Sequence, residues 1–231
     1  MTGPSEIHRT IAACMANGNR LIEESYDLEF RQPPSSQYFL CMIAQEEFSK
    51  AFVFYLVREG IAQLSKPLLR AVHNHSCKQL VGMIMDYMIM YWDDEEEFYA
   101  HLRLDHDAGD RLPNGVGSAL EILLYEKIGR WEANDWSWGE DPNYDKEALK
   151  VSEGAKDRRK QQALYVGVGQ DGRITSTPDT ITEDETKAEL DRAYRFARFL
   201  DEILKDGAPS LRYDKVMAAF KTLFASASGN D

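Results

Sequence analysis

The stretch SQYFLCMIAQEEFSKAFVFYLVR, residues 36–58, decides the fold class. Phe39, Met42, Ile43, Phe52, Tyr55 and Leu56 fall close to helical spacing, so the segment reads as a helix with a packed face, and Gly60 suits its end. Upstream, Ile7, Ile11, Met15, Ile22 and Tyr26 keep the same period over residues 6–30, until RQPPSS stops the helix. Two such helices joined by a short turn are expected to pack antiparallel. Downstream, Pro67 suits the first turn of a short helical piece, which leads into the apolar run LVGMIMDYMIMYW, residues 80–92. A fourth helix is expected over residues 116–131, after the turn-rich AGDRLPNGVG.

The second half reads differently. Residues 132–153 are rich in Trp, Asp, Asn and Gly and are expected to form a loop or surface extension. QALYVGVGQDGRITSTP, residues 162–178, alternates on either side of Asp171-Gly172 and reads as a β-hairpin. Thr182 and Glu185 have capping-box spacing, and Leu190, Ala193, Tyr194, Ala197, Leu200 and Leu204 form an apolar stripe before Gly207. A last helix is expected over residues 213–224. The fold class is therefore mostly α: a helical core over residues 1–131, with loop, hairpin and C-terminal helices of residues 132–231 packing on it as a single domain.

Composition narrows the functional classes. The chain has 231 residues, 43% hydrophobic, enough for a proper core. Its most apolar run is interrupted by Asp86 and falls short of the ~20 residues of a membrane span. MTGPSEIHRTIAAC lacks the basic-then-apolar pattern of a secretory signal, so a cytoplasmic location is expected. Cys14, Cys41 and Cys77 form no Cys-x-x-Cys pair and suit reduced thiols. A net charge of -12 argues against diffuse nucleic-acid binding, which depends on neutralising phosphates. Yet no acidic residue lies between Glu59 and Asp86, where Lys66, Arg70, His73, His75 and Lys78 fall together. A second basic knot, KDRRK at residues 156–160, reads as a solvated face.

Several familiar sites are excluded. Gly167, Gly169 and Gly172 spell Gly-x-Gly-x-x-Gly, but RITSTP, immediately after them, is strand-like and ends in Pro178 instead of opening the helix that meets a pyrophosphate. The chain has no Gly-x-x-x-x-Gly-Lys loop, no Gly-x-Ser-x-Gly elbow and no Glu-x-x-His pair, and neither metal nor cofactor is expected. Glu97, His101 and Asp105 share a helical face that reads as a solvated acidic stripe.

The chemistry concentrates around RAVHNHSCKQL, residues 70–80. Ser76 and Gln79 have capping-box spacing, which makes Ser76 the expected N-cap and sets His75 just outside a helix N-terminus. Backbone N–H groups and the macrodipole favour an anion there and disfavour an imidazolium. Lys78, a cation set against the dipole, calls for something anionic nearby. A phosphate beside a neutral histidine and two cations meets the needs of metal-independent RNA cleavage. The plainer account is a histidine bonded to backbone and a lysine in water. On the second helix Glu46 and Glu47 stand three to four residues from Lys50, an ordinary surface pair. Adjacent glutamates also leave at least one carboxylate turned partly toward the packed face, where Arg70, Lys78 or His75 is an available partner.

RLIEESYDLEF, AQEEFSKAFVFYLV, HNHSCK and RRKQQALYVGVGQDGRITSTPDTITEDE together resemble the AbiV family of bacterial abortive-infection proteins, part of the wider HEPN group. The similarity runs from Arg20 to Leu204. It implies a HEPN-like helical bundle, a homodimer, and a role in stopping phage multiplication by cleaving RNA or otherwise blocking translation. RNA, tRNA or rRNA included, is the implied substrate, and a phage-encoded activator protein an implied partner. Many HEPN proteins are metal-independent endoribonucleases with Arg-x4-6-His, a spacing that Arg70 and His75 fit, and His75 and Lys78 fit the family's His-x-x-Lys. On one continuous helix Arg70 and His75 would lie roughly 140° apart, and the expected break at Ser76 removes that obstacle. The resemblance implies His75 as base, Arg70 and Lys78 as phosphate-binding cations and Glu47 orienting them, with Glu46, Lys50, His73 and Asn74 lining the substrate site. The other reading is a non-catalytic HEPN module, in which the same residues form a buried polar network that fixes a dimer or binds a phage or host protein.

Overall fold

The computed structural model describes residues 4–90, 114–134 and 143–205. The expected 213–224 helix, the Glu97–His101–Asp105 stripe, Trp136 and Trp138 lie outside them. Two long helices, α1 (Pro4–Tyr26) and α2 (Ser35–Arg58), form the framework. α2 ends where the carbonyl of Leu56 accepts from the Ile61 amide and that of Val57 from Gly60, whose φ of +69° closes a Schellman-type stop. Next come α3 (Lys66–His73), whose N-cap Ser65 accepts from Leu68 N, and α4 (His75–Met90).

The junction between these two helices differs from the sequence expectation. The cap of α4 is Asn74, not Ser76: its side-chain oxygen accepts from Cys77 N at 3.0 Å, and α4 begins earlier than expected. Asn74 can serve because its own backbone is extended (φ -86°, ψ 125°), so one residue closes α3 and opens α4. His75 thereby falls in the first turn of α4.

α5 (Asn114–Glu121) runs into a π-helical stretch (Ile122–Gly129) and a last short turn, α6 (Arg130–Ala133). The region expected as loop holds a further helix, α7 (Lys146–Ser152), capped by Asp145 and burying Ala148 and Val151. Two buried apolar positions in seven residues are too few for a legible period. Gly154, at φ +85°, turns the chain into α8 (Ala155–Gln162). The hairpin comes next as β1 (Gly167–Val168) and β2 (Ile174–Ser176), antiparallel with a bulge. A single 3-10 turn leads to α9 (Glu183–Leu204), opened by the Thr182–Glu185 capping box.

One apolar cluster runs from Ile11 in α1 to Ile203 in α9, through Phe48, Phe52, Tyr55, Leu80, Ile84, Met85, Ile122 and Phe196. α2 is its axis, packed by α1, α4 and α9. Tyr38, Met42, Ala163 and Ile181 form a second, small cluster that ties the end of α8 to the start of α9. No described helix is long and apolar enough to cross a membrane.

α1 and α2 approach so closely at Gly18 that a Cβ there would meet the fully buried Phe48 ring at 2.5 Å. Alanine would gain about 1 kcal/mol of helix propensity, but overpacking costs typically ~1–3 kcal/mol. Gly18→Ala is therefore expected to lower the urea midpoint despite the better helix former, and Phe48→Leu in the same chain to recover part of the loss.

Candidate functional site

Neighbouring positions on a helix point about 100° apart, so the adjacent glutamates on α2 meet different surroundings. Glu46 is 3% exposed, whereas Glu47, its side chain 14% exposed, pairs with Lys50 at 2.5 Å. A carboxylate that deep needs compensating donors, and three side chains supply them. Lys160 Nζ donates to Oε1 at 2.5 Å. Lys78 Nζ reaches Oε2 at 2.7 Å, and His75 Nδ1 meets the same oxygen at 2.7 Å. Asp157, one turn before Lys160 on α8, holds the Lys160 ammonium at 2.9 Å and lies 3.9 Å from His75 Nδ1. The Asp157 contact has the length of a hydrogen bond without its angle, so it is an ion contact.

Two carboxylates and two ammoniums thus converge from α2, α4 and α8 around one imidazole. Burial by itself pushes the Glu46 carboxyl up. The Lys78 charge and the hydrogen bonds from Lys160 and Lys78 outweigh it and hold Glu46 below its ordinary 4.5. Lys78 and Lys160 are nearly sealed, with side chains 10% and 4% exposed, but the His75 side chain is 49% exposed and presents the cluster's accessible face. Glu46, His75 and Asp157 are also of the residue types that bind a cation, with ligand atoms within 4.8 Å of one another. The Lys160 ammonium stands within 3.0 Å of all three.

Of the residues singled out in the sequence, Glu46, His75 and Lys78 come together. Glu47 and Lys50 pair with each other, so the carboxylate that meets His75 is Glu46, not Glu47. Asn74 is spent as a helix cap and His73 is exposed on the last turn of α3. Arg70 stacks its guanidinium 4.6 Å over the Trp131 ring, and among the described residues no ion pair or hydrogen bond joins it to the cluster. Asp157 and Lys160 are hidden in the basic knot. Their i, i+3 spacing puts them on one face of α8, but nothing local distinguishes that face from a solvated one.

A second polar cluster adjoins the first. The Arg192 guanidinium meets Asp86 Oδ2 at 2.7 Å and donates to Gln45 Oε1 at 2.6 Å, and the Gln45 amide donates to Glu189 at 2.8 Å. Lys156 stands 4.0 Å from Glu189, its pKa lowered first by burial and then by the Arg192 charge. Between the clusters lies a small cavity bordered by Ser49, Lys78, Gln79 and Arg192, and both amide atoms of buried Gln79 are without a partner among the described residues.

The family model described as AbiV matches residues 6–198, from α1 through most of α9. The chain belongs to the AbiV family. It is accordingly an abortive-infection protein of the HEPN type, and all five residues of the ion cluster lie inside the matched span. Neither a curated protein nor a solved structure matches the chain.

Because the Glu46 carboxyl is held below its ordinary 4.5, its contribution to stability is complete above that pH and is lost as the pH falls through the lower folded value. Glu46→Gln leaves two buried ammoniums short of a counter-charge, at about 3–5 kcal/mol. Urea unfolding of the two proteins is expected to differ most near pH 7, with the gap closing progressively below pH 4.5.

Proposed function

We propose that this AbiV protein stops phage multiplication by cleaving RNA as a metal-independent endoribonuclease, with His75 as the base. The contact that carries the reading is the 2.7 Å approach of Glu46 Oε2 to His75 Nδ1. A carboxylate accepting from Nδ1–H leaves the Nε2 lone pair free, on a side chain that is about half exposed. Nε2 then takes the proton of a ribose 2′-hydroxyl, the 2′-oxygen attacks the adjacent phosphorus, and the bond to the 5′-oxygen breaks. The imidazolium returns its proton to that 5′-oxygen, leaving a 2′,3′-cyclic phosphate. Arg70 on the exposed side of α3 and Lys78, beside His75 in the cluster, are the phosphate-binding cations of this scheme, and a second copy of the chain or a phage-encoded protein completes or triggers the site. Ribosomal or transfer RNA is the substrate class.

One observation favours a second reading. Lys78 and Lys160 are buried and already paired with Glu46, and Arg70 is stacked on Trp131. Such a closed network also suits a non-catalytic HEPN module that binds a phage or host protein. Purified protein incubated with total RNA in EDTA separates the two. The nuclease reading expects cyclic phosphate ends and a loss of roughly 10²-fold or more in His75→Ala, within the range a positioned base supplies. Intact RNA alongside folded protein would leave the binding module as the function.

A further inference from the structure

The geometry points to Lys160 as a positioning residue that aims His75, a built-in cation holding Glu46 and Asp157 so that Nδ1 has a single acceptor. Helix α8 is composed so that Lys160 is its only buried residue. Its other side-chain ties to the bundle are polar: Arg159 bridges Glu185 at 2.8 Å and donates to Thr180 O at 2.7 Å, and Lys156 faces Glu189; apolar contact comes only at its end, where the cap residue Ala163 joins Tyr38, Met42 and Ile181. A helix whose one buried side chain is an ammonium, in its last turn, is arranged around what that ammonium does.

The distances give Lys160 two effects. The first is on Glu46. Oε2 is shared by His75 and Lys78, both at 2.7 Å, while Oε1 is held by Lys160 at 2.5 Å. Without Lys160 no other described residue pins Oε1, and the carboxylate is free to rotate so that Lys78 draws it away from the ring. The second is on Asp157, whose Oδ1 lies 3.9 Å from Nδ1 and is the competing acceptor. Lys160 occupies that oxygen at 2.9 Å. Lys160 Nζ itself stands 3.0 Å from Nδ1, but an ammonium donates only, so a ring bonded to it would have to turn a bare lone pair on Glu46 Oε2 at 2.7 Å. The shorter, charge-assisted Nδ1–H to Oε2 bond wins, and Lys160 acts as the fixed charge that sets the orientation of both carboxylates.

This inference rests on the reading of His75 as a base, yet its first test requires no RNA. Nitrogen-15 NMR of the ring in the full chain is expected to show one tautomer, Nδ1–H, in the wild type. In Lys160→Met, which keeps the unbranched apolar stem and removes the ammonium, the signal is expected to become a mixture of both tautomers. In Lys160→Ala, methylammonium is expected to restore Nδ1–H, and methanol to leave the mixture unchanged. RNA cleavage is expected to track the tautomer, falling about 10- to 100-fold in Lys160→Met, part of what a positioned base contributes. A wild-type ring protonated on Nε2 overturns the proposal without any variant, as does a folded Lys160→Met that keeps Nδ1–H. A tautomer that responds as expected in a protein that cuts no RNA upholds the positioning role of Lys160 and removes the nuclease reading instead.

Discussion

A carboxylate sealed among the helices at Glu46 must be neutralised, and the arrangement of three separate elements answers that requirement. Ionised and unpaired, a group at that depth would cost several kcal/mol. Lys78 on α4 and Lys160 on α8 bring the compensating charges from 32 and 114 residues further along the chain. The cluster therefore specifies where α4 and α8 sit, in a way that apolar packing does not: Phe, Leu and Met surfaces tolerate sliding, whereas an ammonium bonded to one oxygen of a buried carboxylate does not.

The polar groups continue along α2. Gln45, next to Glu46, accepts from Arg192 of α9, and Arg192 in turn binds Asp86 of α4. The buried helices are thus held by apolar surface on one side of α2 and by ion pairs on another, with Gln79 and its small cavity between the two charged groups. For the chemistry, the consequence is rigidity in the supporting groups and access at a single point. Within the cluster, only His75 combines a buried partner at one ring nitrogen with substantial exposure of the side chain. The same rigidity distinguishes it from His73, two residues earlier on the surface of α3.

Long helices are legible in the sequence because each repeats its signal many times. α1, α2 and α9 carry apolar residues over six turns or so, and the Thr182–Glu185 box and the Gly60 stop mark two ends by local stereochemistry. The hairpin is legible from Asp171-Gly172 for the same reason. α7 and α8 are not: one buries two residues and the other a single lysine, so neither has a period to find. The start of α4 precedes the expected position because Asn74 and Ser76 are both good caps, and the choice between them depends on the extended backbone that α3 leaves at Asn74.

The sequence alone determined that this is a helical AbiV-type chain, that His75 lies at a helix start, and that at least one of two adjacent glutamates turns partly toward the packed face and needs a partner. It did so because helix period, capping chemistry and the desolvation of a charge are properties of a few neighbouring residues. Which glutamate met His75, and that Lys160 from a distant, highly charged segment would join it, only the tertiary structure decided. Pairing between buried charges is a matter of proximity in space, and KDRRK has the same composition whether its lysine points into water or into the bundle. Arg70 shows the converse: its spacing from His75 suited a shared site, but the ring of Trp131, brought alongside by the fold, took the guanidinium.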